Sequence, residues 1–432
     1  MRKNILRMGL LSAMLASVLG GQDIAGDWQG TLKAGPKELR TIVKIVRGDD
    51  GRWNATLFSI DQSPDRGAGI PANSATLQDS VFKFTVDTLH GSYEGKVSVD
   101  GTSIEGTWTQ GLPLPLELKR ATPETAWNDP SPHTAQLVTI NKDVKLEVLD
   151  WGGSGRPLVF LAGLGNTAHV FDKFAPQFAS AFHVYGITRR GYGASSVPVD
   201  GYSADRLGDD VLAVLDFLHL NQPILVGHSI AGEELSSVGS RYPKKVAGLI
   251  YLDAGYGYAY YDRARGNLNI DLAELQGKLR QMEPGKGPPD ALPLIQELLE
   301  TVLPAFERDL RETQKDLQAA PPALRAAQAG GATSKAAQAI MSGGQKYTNI
   351  PVPILAIYAV PHDLGPFMAN DPVARAAIEA SDEASTGAQV KAFETGVPSA
   401  RVVRLAHANH YVFLSNQADV LREMNAFLGS LP

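Results

Sequence analysis

The 432-residue sequence contains no cysteine, and it has no run of five like charges. The absence of cysteine excludes disulfide bonds, thiolate zinc sites, iron–sulfur clusters and a cysteine nucleophile. Positive charge is also in short supply, because 40 lysine and arginine residues against 46 aspartate and glutamate residues give a net charge of −6. A nucleic-acid-binding protein needs a basic surface to neutralise phosphates, so we expect no nucleic-acid partner.

The sequence also lacks the H-E-x-x-H motif and any comparable histidine–carboxylate cluster, so we predict no metal site and no cofactor. The sequence contains enough apolar residues for packed cores, because 44% of the residues are hydrophobic and 20% are charged. This composition is typical of a globular protein rather than a disordered or fibrous one. Because domains usually contain roughly 100 to 200 residues, a chain of this length should form two or three units.

The first 21 residues have the pattern of a secretory signal peptide. Arg2, Lys3 and Arg7 precede an apolar stretch over residues 8–19, and small glycines follow at positions 20 and 21. The apolar stretch has the length of a signal core and is shorter than the roughly 20 residues that a membrane span needs. We therefore expect a secreted or periplasmic protein with no integral membrane segment after cleavage.

Residues 23–120 show short alternating segments separated by turn residues, which predicts a small antiparallel β-barrel or sandwich. Trp28, Tyr93 and Trp108 each follow a glycine at two positions' distance, a pattern loosely similar to the glycine–tryptophan strand of lipocalin-like barrels. Aromatic residues on strands usually fill a core, but they also line binding cups. Both interpretations stay open, and the second would let this domain contact a ligand or a surface.

A linker is predicted over residues 121–136, where prolines recur without hydrophobic periodicity. After it, apolar strands alternate with helical segments, at residues 146–150, 157–161, 182–187, 223–227, 248–253, 353–358 and 401–405. This alternation predicts a mostly parallel sheet with helices on both faces. The stretch between residues 253 and 353 interrupts it with apolar residues at helical spacing, so we predict a helical cap over about residues 256–348, with a kink at Pro304.

The strongest motif is at residues 227–232, which read G-H-S-I-A-G between a short apolar strand and a helical segment. A serine on a sharp strand-to-helix turn needs small neighbours two residues away on either side, and Gly227 and Ala231 meet that need. The motif predicts that Ser229 is a nucleophile. A serine hydroxyl then requires a histidine base, and the histidine requires a carboxylate that fixes its tautomer.

From Leu137 to the C-terminus the sequence resembles the α/β-hydrolase superfamily. Residues 160–166 (F-L-A-G-L-G-N) occupy the position of the oxyanion loop, residues 189–195 (R-R-G-Y-G-A-S) look like the arginine–glycine stretch, and residues 246–253 match the strand after the nucleophile. The resemblance implies an α/β fold with a helical cap insertion and the chain order serine, acid, histidine. It further implies an oxyanion hole formed by the backbone N–H groups of Leu164 and Ile230.

The resemblance also implies the partners of Ser229. His410 lies between the last strand and the terminal helix, where the family places its histidine, and His407 is the alternative. Asp363 follows the strand at residues 353–358, where the family places its acid. Asp253, at the end of the preceding strand, is the alternative acid. The expected triad is thus Ser229, Asp363 and His410.

These residues favour hydrolysis of a small-molecule carboxylic ester through an acyl-enzyme intermediate. The first alternative is a prolyl-aminopeptidase-like amidase that cleaves a short amide or peptide, in which Glu233 or Glu234 would bind the substrate amine. The second is a catalytically silent binding protein of the same fold. Residues 163–168 also fit the dinucleotide pattern G-x-G-x-x-A, but the acidic ribose-binding residue expected after the next strand is replaced by Arg189 and its neighbours.

Overall fold

The computed structural model describes residues 22–34, 37–48, 50–59, 69–122, 133–285, 288–319, 334–367 and 369–432. The predicted signal peptide, residues 1–21, lies outside the described residues, as do positions 123–132 of the predicted linker. Within the described ranges, no helix combines the length and apolar character needed to cross a bilayer. The strands fall into two separate sheets.

The first sheet is antiparallel and occupies the region in which the sequence predicts a small β domain. Its strands are β1 (Gly26–Ala34), β2 (Lys37–Arg47), β3 (Trp53–Ser59), β4 (Ile70–Pro71), β5 (Ser74–Gln78), β6 (Val81–Val86), β7 (Gly91–Val97), β8 (Ser103–Gln110) and β9 (Leu112–Arg120). Their order is β4-β3-β2-β1-β9-β8-β7-β6-β5, so the first long strand pairs with the last. The sheet therefore forms a half-barrel in which β1 and β9, the first and last strands along the chain, lie side by side.

The aromatic residues of the β domain form its core. Trp28, Tyr93 and Trp108 are at most 4% exposed, and Phe84 stacks against the latter two at ring distances of 5.4 and 6.0 Å. The Tyr93 hydroxyl lies 3.1 Å from the backbone oxygen of Ile104, so even its polar atom is used internally. The core interpretation of these aromatics is confirmed, and they do not line an open cup.

The second sheet is mixed and mostly parallel. Its strands are β10 (Thr134–Asn141), β11 (Val144–Gly152), β12 (Pro157–Leu161), β13 (His183–Ile187), β14 (Ile224–His228), β15 (Gly248–Leu252), β16 (Ile354–Ala359) and β17 (Ala400–Leu405), in the order β10-β11-β13-β12-β14-β15-β16-β17. From β13 to β17 every neighbouring pair is parallel. The carboxyl ends of β12 and β14–β17 therefore meet at one edge of the sheet.

Helices cover both faces of this sheet, as the apolar strands require. The α-helices of the described residues are α1 (Ala204–Phe217), α2 (Ala231–Arg241), α3 (Leu268–Gln281), α4 (Leu292–Glu297), α5 (Leu303–Ala319), α6 (Lys335–Met341), α7 (Pro372–Gly396), α8 (Val412–Ser415) and α9 (Gln417–Leu428). Residues of α1, α2 and α7 pack in the core on one face, and residues of α8 and α9 pack in the core on the other. Helix α1 begins where the Ser203 hydroxyl accepts a hydrogen bond from the Arg206 N–H.

The insertion between β15 and β16 is mostly helical, as the spacing of its apolar residues predicts. Helices α3, α4 and α5 pack through a small core that includes Leu275, Leu294, Leu298 and Val302. A π-helical turn, Leu298–Val302, sits directly before Pro304, which is the position of the predicted kink. The last helix of the insertion, α6, packs through Ile340 against a cluster that contains Ile230, the residue after Ser229. The insertion thus reaches the neighbourhood of the predicted nucleophile.

Candidate active site

The predicted nucleophile lies on a tight turn between β14 and α2. Ser229 has a φ of 54°, a strained value for a serine, and its N–H donates to the Leu252 carbonyl at 3.2 Å. The turn is closely packed, because a Cβ on Gly232 would come within 2.0 Å of the Ala254 carbonyl oxygen. The strained turn lifts the serine side chain above the carboxyl edge of the sheet.

A histidine and an aspartate continue from this serine in a line. Nε2 of His410 lies 2.9 Å from Ser229 Oγ, and Nδ1 of the same ring lies 2.6 Å from Asp253 Oδ2. The His410 side chain is 41% exposed and Asp253 is fully buried, so the line runs from the protein interior to an open face. With Nδ1–H donating to the carboxylate, Nε2 is free to accept the serine proton.

The structure places Asp253, and not Asp363, against His410. The Asp253 carboxylate is fixed because its Oδ1 accepts the Ala359 N–H at 2.9 Å and the Tyr256 hydroxyl. Asp363 is turned toward solvent, where its Oδ1 accepts the Gly365 N–H at 2.9 Å. The prediction that Asp363 contacts His410 is therefore wrong, and the alternative acid, Asp253, occupies that position.

The side chain that enters the site from the loop after β16 is His362, one residue before Asp363. Its Nε2 lies 2.8 Å from Asp253 Oδ2, and its Nδ1 lies 3.0 Å from Asp382 Oδ2 on α7. The Asp382 carboxylate also accepts the His362 backbone N–H at 2.7 Å and the Thr386 hydroxyl at 2.9 Å. Two imidazoles therefore share one oxygen of Asp253, and Asp382 lies behind the second.

The sequence predicted no role for His362 or for Asp382. The one available signal was the histidine itself, placed after a buried strand at the same sheet edge as Ser229 and His410. Asp382 lies in the long helix α7 without a recognisable motif, and no sequence pattern connects it to the site. His407, the alternative base, is not in the line; its N–H donates to the Pro361 carbonyl, and it only helps to join the two loops.

The ionisation of the group follows from these contacts. Burial alone would raise the pKa of Asp253, but hydrogen bonds from His362 and His410 hold it well below its usual range. Burial would lower the pKa of His362, yet the hydrogen bonds to Asp253 and Asp382 raise it to about 10. Burial would raise the pKa of Asp382, but hydrogen bonds from the side chain and the backbone N–H of His362 lower it. At neutral pH an imidazolium therefore stands between two carboxylates.

The loop after β12 lies beside the serine. A Cβ on Gly163 would come within 3.1 Å of the Ser229 Cβ, so the loop backbone approaches the nucleophile closely. Leu164 packs in the same cluster as Ile230, and the Ala162 carbonyl accepts a hydrogen bond from Arg189 Nη2 at 2.9 Å. The residues predicted to form the oxyanion hole, Leu164 and Ile230, are thus brought together next to Ser229.

The two glutamates after the nucleophile differ in their surroundings. Glu234 is buried in an ion pair with Arg189, with Oε1 2.5 Å from Nε and Oε2 2.9 Å from Nη2. Glu233 is 1% exposed, and its Oε1 has no hydrogen-bond partner among the described residues. Burial, together with the charge of Glu234, raises the pKa of Glu233 well above its usual range. Glu234 is occupied by Arg189, whereas Glu233 is a buried acid with a raised pKa near the nucleophile.

Two groups of side chains have the composition of metal ligands within the described residues. One is the group Asp253, His362 and His410, which the hydrogen bonds above already occupy. The other comprises His133, His169 and Asp172, near the start of the second sheet. In that group the Asp172 carboxylate lies 3.1 Å from His133 and 3.3 Å from His169, as in a histidine–carboxylate hydrogen-bond network.

Comparison with known proteins places this site in a family. A model described as the alpha/beta hydrolase family matches residues 158–423, which is more than half of the chain. The chain belongs to the alpha/beta hydrolase family. The predicted α/β-hydrolase fold is confirmed, and the matched range contains Ser229, Asp253 and His410.

Individual relatives of this alpha/beta hydrolase match shorter stretches. The 2-(acetamidomethylene)succinate hydrolase of Mesorhizobium japonicum is 29% identical over 23% of this chain and 36% of its own length. The 3-oxoadipate enol-lactonase 2 of Acinetobacter baylyi is 33% identical over 24% of this chain and 39% of its own length. The bifunctional esterase/perhydrolase of Acinetobacter calcoaceticus has the same identity and coverage. The chain thus spans less than half the length of these curated relatives.

Solved structures also match 69% of this chain. The structure of E-2-(acetamidomethylene)succinate hydrolase has a TM-score of 0.41 and 20% identity over 69% of this chain and 100% of that chain. A bromoperoxidase from Bacillus anthracis has a TM-score of 0.43 and 17% identity over the same shares. At these identities the likeness concerns the fold and not the substrate.

Proposed function

We propose that this alpha/beta hydrolase is a secreted or periplasmic serine hydrolase that cleaves a carboxylic ester. The observation that carries the proposal is the line from Ser229 Oγ through both nitrogens of His410 to Asp253, with distances of 2.9 and 2.6 Å. A serine hydroxyl in contact with a carboxylate-supported imidazole is the arrangement that acyl transfer needs. The names of two relatives, an enol-lactonase and an esterase, agree with ester chemistry.

The reaction would proceed in two halves. Ser229 Oγ attacks the ester carbonyl carbon while His410 Nε2 takes its proton, and the N–H groups of Leu164 and Ile230 stabilise the oxyanion. His410 then returns the proton to the leaving alkoxide, which departs as the alcohol and leaves an acyl-serine. Water attacks this ester with His410 again as the base, and the acid product leaves. Asp253 stays ionised throughout and stabilises the imidazolium.

The amidase alternative depends on Glu233. Its buried and unpartnered Oε1 near the nucleophile is the specific observation in favour of an amine-binding site. The raised pKa of Glu233 favours its neutral carboxyl form, however, and a neutral carboxyl attracts an ammonium group less strongly than a carboxylate does. Ester hydrolysis is therefore the first proposal, and amide hydrolysis would require the bound amine to draw the proton from Glu233.

Secretion and the roles of the two added regions are also proposals. Secretion is supported by the charged and apolar pattern of residues 1–21. The helical insertion would act as a cap, since α6 packs against the cluster that contains Ile230. The β domain is internally packed, and it contacts the second sheet's domain through Lys173 and Glu38 at 2.5 Å, so a ligand or surface contact would use its outside.

A hydrolysis panel tests the proposal. Residues 22–432 would be assayed with aryl esters of short, medium and long acids and with proline and alanine anilides. Ser229→Ala should abolish ester turnover, whereas Ser342→Ala, an exposed serine of the insertion, should leave it unchanged. Turnover of anilides alone would favour the amidase, and the absence of any turnover from folded protein would favour the binding protein.

A further inference from the structure

His362 is a partly buried imidazole that the proposed reaction does not use. It bridges two carboxylates, with 2.8 Å from Nε2 to Asp253 and 3.0 Å from Nδ1 to Asp382. Its backbone is also fixed, because its N–H donates to Asp382 at 2.7 Å and its residue pairs with Ala408 beside β17. Such a constrained ring cannot rotate without breaking hydrogen bonds at both nitrogens.

The position of His362 rules out direct participation in the reaction. Its ring centroid lies 6.1 Å from that of His410, and the Asp253 carboxylate lies between the two rings. Ser229 contacts His410 and not His362. Any effect of His362 on the reaction must therefore pass through Asp253 or through the electrostatic field at His410.

The charges around His362 define that field. From the end of β15 it faces Asp253, whose other oxygen accepts the Tyr256 hydroxyl. From α7 it faces Asp382, and from the loop after β17 it faces the ring of His410. A carboxylate at each ring nitrogen keeps both nitrogens protonated, so the ring is positive and Asp382 balances its charge.

We propose that His362 is a positioning residue of this hydrolase, which holds the Asp253 carboxylate toward His410 and places a positive charge beside that pair. The inference rests on the proposed serine hydrolase function. Two like charges about 6 Å apart repel each other measurably in a partly buried site, so loss of the His362 charge should alter the pH dependence of the reaction.

The main experiment is the pH dependence of kcat/KM for an ester that the wild type hydrolyses. His362→Gln keeps an amide that can donate to one carboxylate but removes the charge. We expect kcat at neutral pH to fall about 10- to 100-fold, which is the effect of losing one charged hydrogen bond, with little change in KM. The acid limb of kcat/KM should move to higher pH, because a positive charge near the catalytic imidazole is lost.

A matched control separates this effect from a structural one. His183 also contacts a carboxylate, with Nε2 2.9 Å from Asp150, but it lies at the opposite end of β13, away from the serine. His183→Gln should leave the acid limb where it is in the wild type. An acid limb that stays unmoved in His362→Gln would overturn the proposal, even if kcat falls.

A second measurement remains informative if ester turnover is not found. In Ser229→Ala protein with isotopically labelled histidine, the ring resonances of His410 would be followed by NMR as the pH is changed. Protonation of His410 should occur at higher pH when His362→Gln is added. Absence of turnover in the wild type would count against the proposed function alone, whereas identical titrations with and without His362 would count against this inference alone.

Discussion

The identity of the catalytic carboxylate gives the sharpest prediction, because the two candidates differ in every contact. Asp253→Asn replaces an oxygen that accepts from two imidazoles with an amide that must donate at one of its two positions. The remaining oxygen cannot serve the Ala359 N–H and His410 together. His410 is then held in the wrong tautomer for accepting the serine proton.

The expected loss is large. Replacing the acid of a serine triad by its amide lowers kcat by about 10⁴-fold, which corresponds to about 5.5 kcal/mol of transition-state stabilisation. Asp363→Asn removes one charge from an exposed loop, where the carboxylate accepts the Gly365 N–H and lies 3.5 Å from Arg375. We expect kcat/KM of that variant to stay within about twofold of the wild type.

The assay compares both variants on one ester, at one pH and over a range of substrate concentrations that gives both kcat and kcat/KM. Circular dichroism and thermal unfolding must first show that Asp253→Asn protein is folded, because this side chain is fully buried. Full activity in Asp253→Asn together with loss of activity in Asp363→Asn would refute the reasoning. It would mean that the loop after β16 turns over to present Asp363 to His410 in the working enzyme.

Three further predictions concern stability. Gly232→Ala should destabilise the protein strongly, because the new Cβ would lie 2.0 Å from a carbonyl oxygen. Gly277→Ala, whose Cβ would have no atom within 4 Å, should stabilise α3 by about 0.5–1 kcal/mol. Urea denaturation that ranks the stabilities of the two variants in the opposite order would contradict this packing. Arg189→Met should lower the free energy of unfolding by about 3–5 kcal/mol, because Glu234 would remain buried without its partner, and a loss below 1 kcal/mol would be inconsistent with this pair. The pKa of His362 rises from 6.5 to about 10 on folding, so its contribution to the free energy of unfolding is complete below pH 6.5 and is lost as the pH rises through 10. Between pH 6.5 and 10, the urea midpoint should therefore fall more steeply in the wild type than in His362→Gln.

Much of the architecture was predictable from local patterns. The buried strands of the second sheet have apolar runs of five or six residues, and β12 was predicted with its observed bounds. Strand β10 was not predicted, because Val138 is its one fully buried residue and the strand lies at the edge of the sheet. Its residues carry too little hydrophobic pattern to distinguish a strand from the predicted linker.

The residues of the site were predictable where their place along the chain, just after a given strand, determines where they lie in the fold. Ser229 and His410 each follow a strand in the expected order, and the structure brings their side chains together. The acid was harder, because Asp253 and Asp363 both follow strands at the same sheet edge. Choosing between them depends on which way each loop turns, and that depends on Asp382, a distant helical residue that holds His362 inward.

The line of side chains takes one residue from the end of each of four neighbouring strands. Ser229 follows β14, Asp253 follows β15, His362 follows β16 and His410 follows β17, which is also their order across the sheet. The line is therefore complete only when the last of these strands has joined its neighbour. A chain that is still being synthesised, with its serine already made, would have no base beside that serine. Hydrolytic activity would then appear only at the end of folding, once β17 has joined β16.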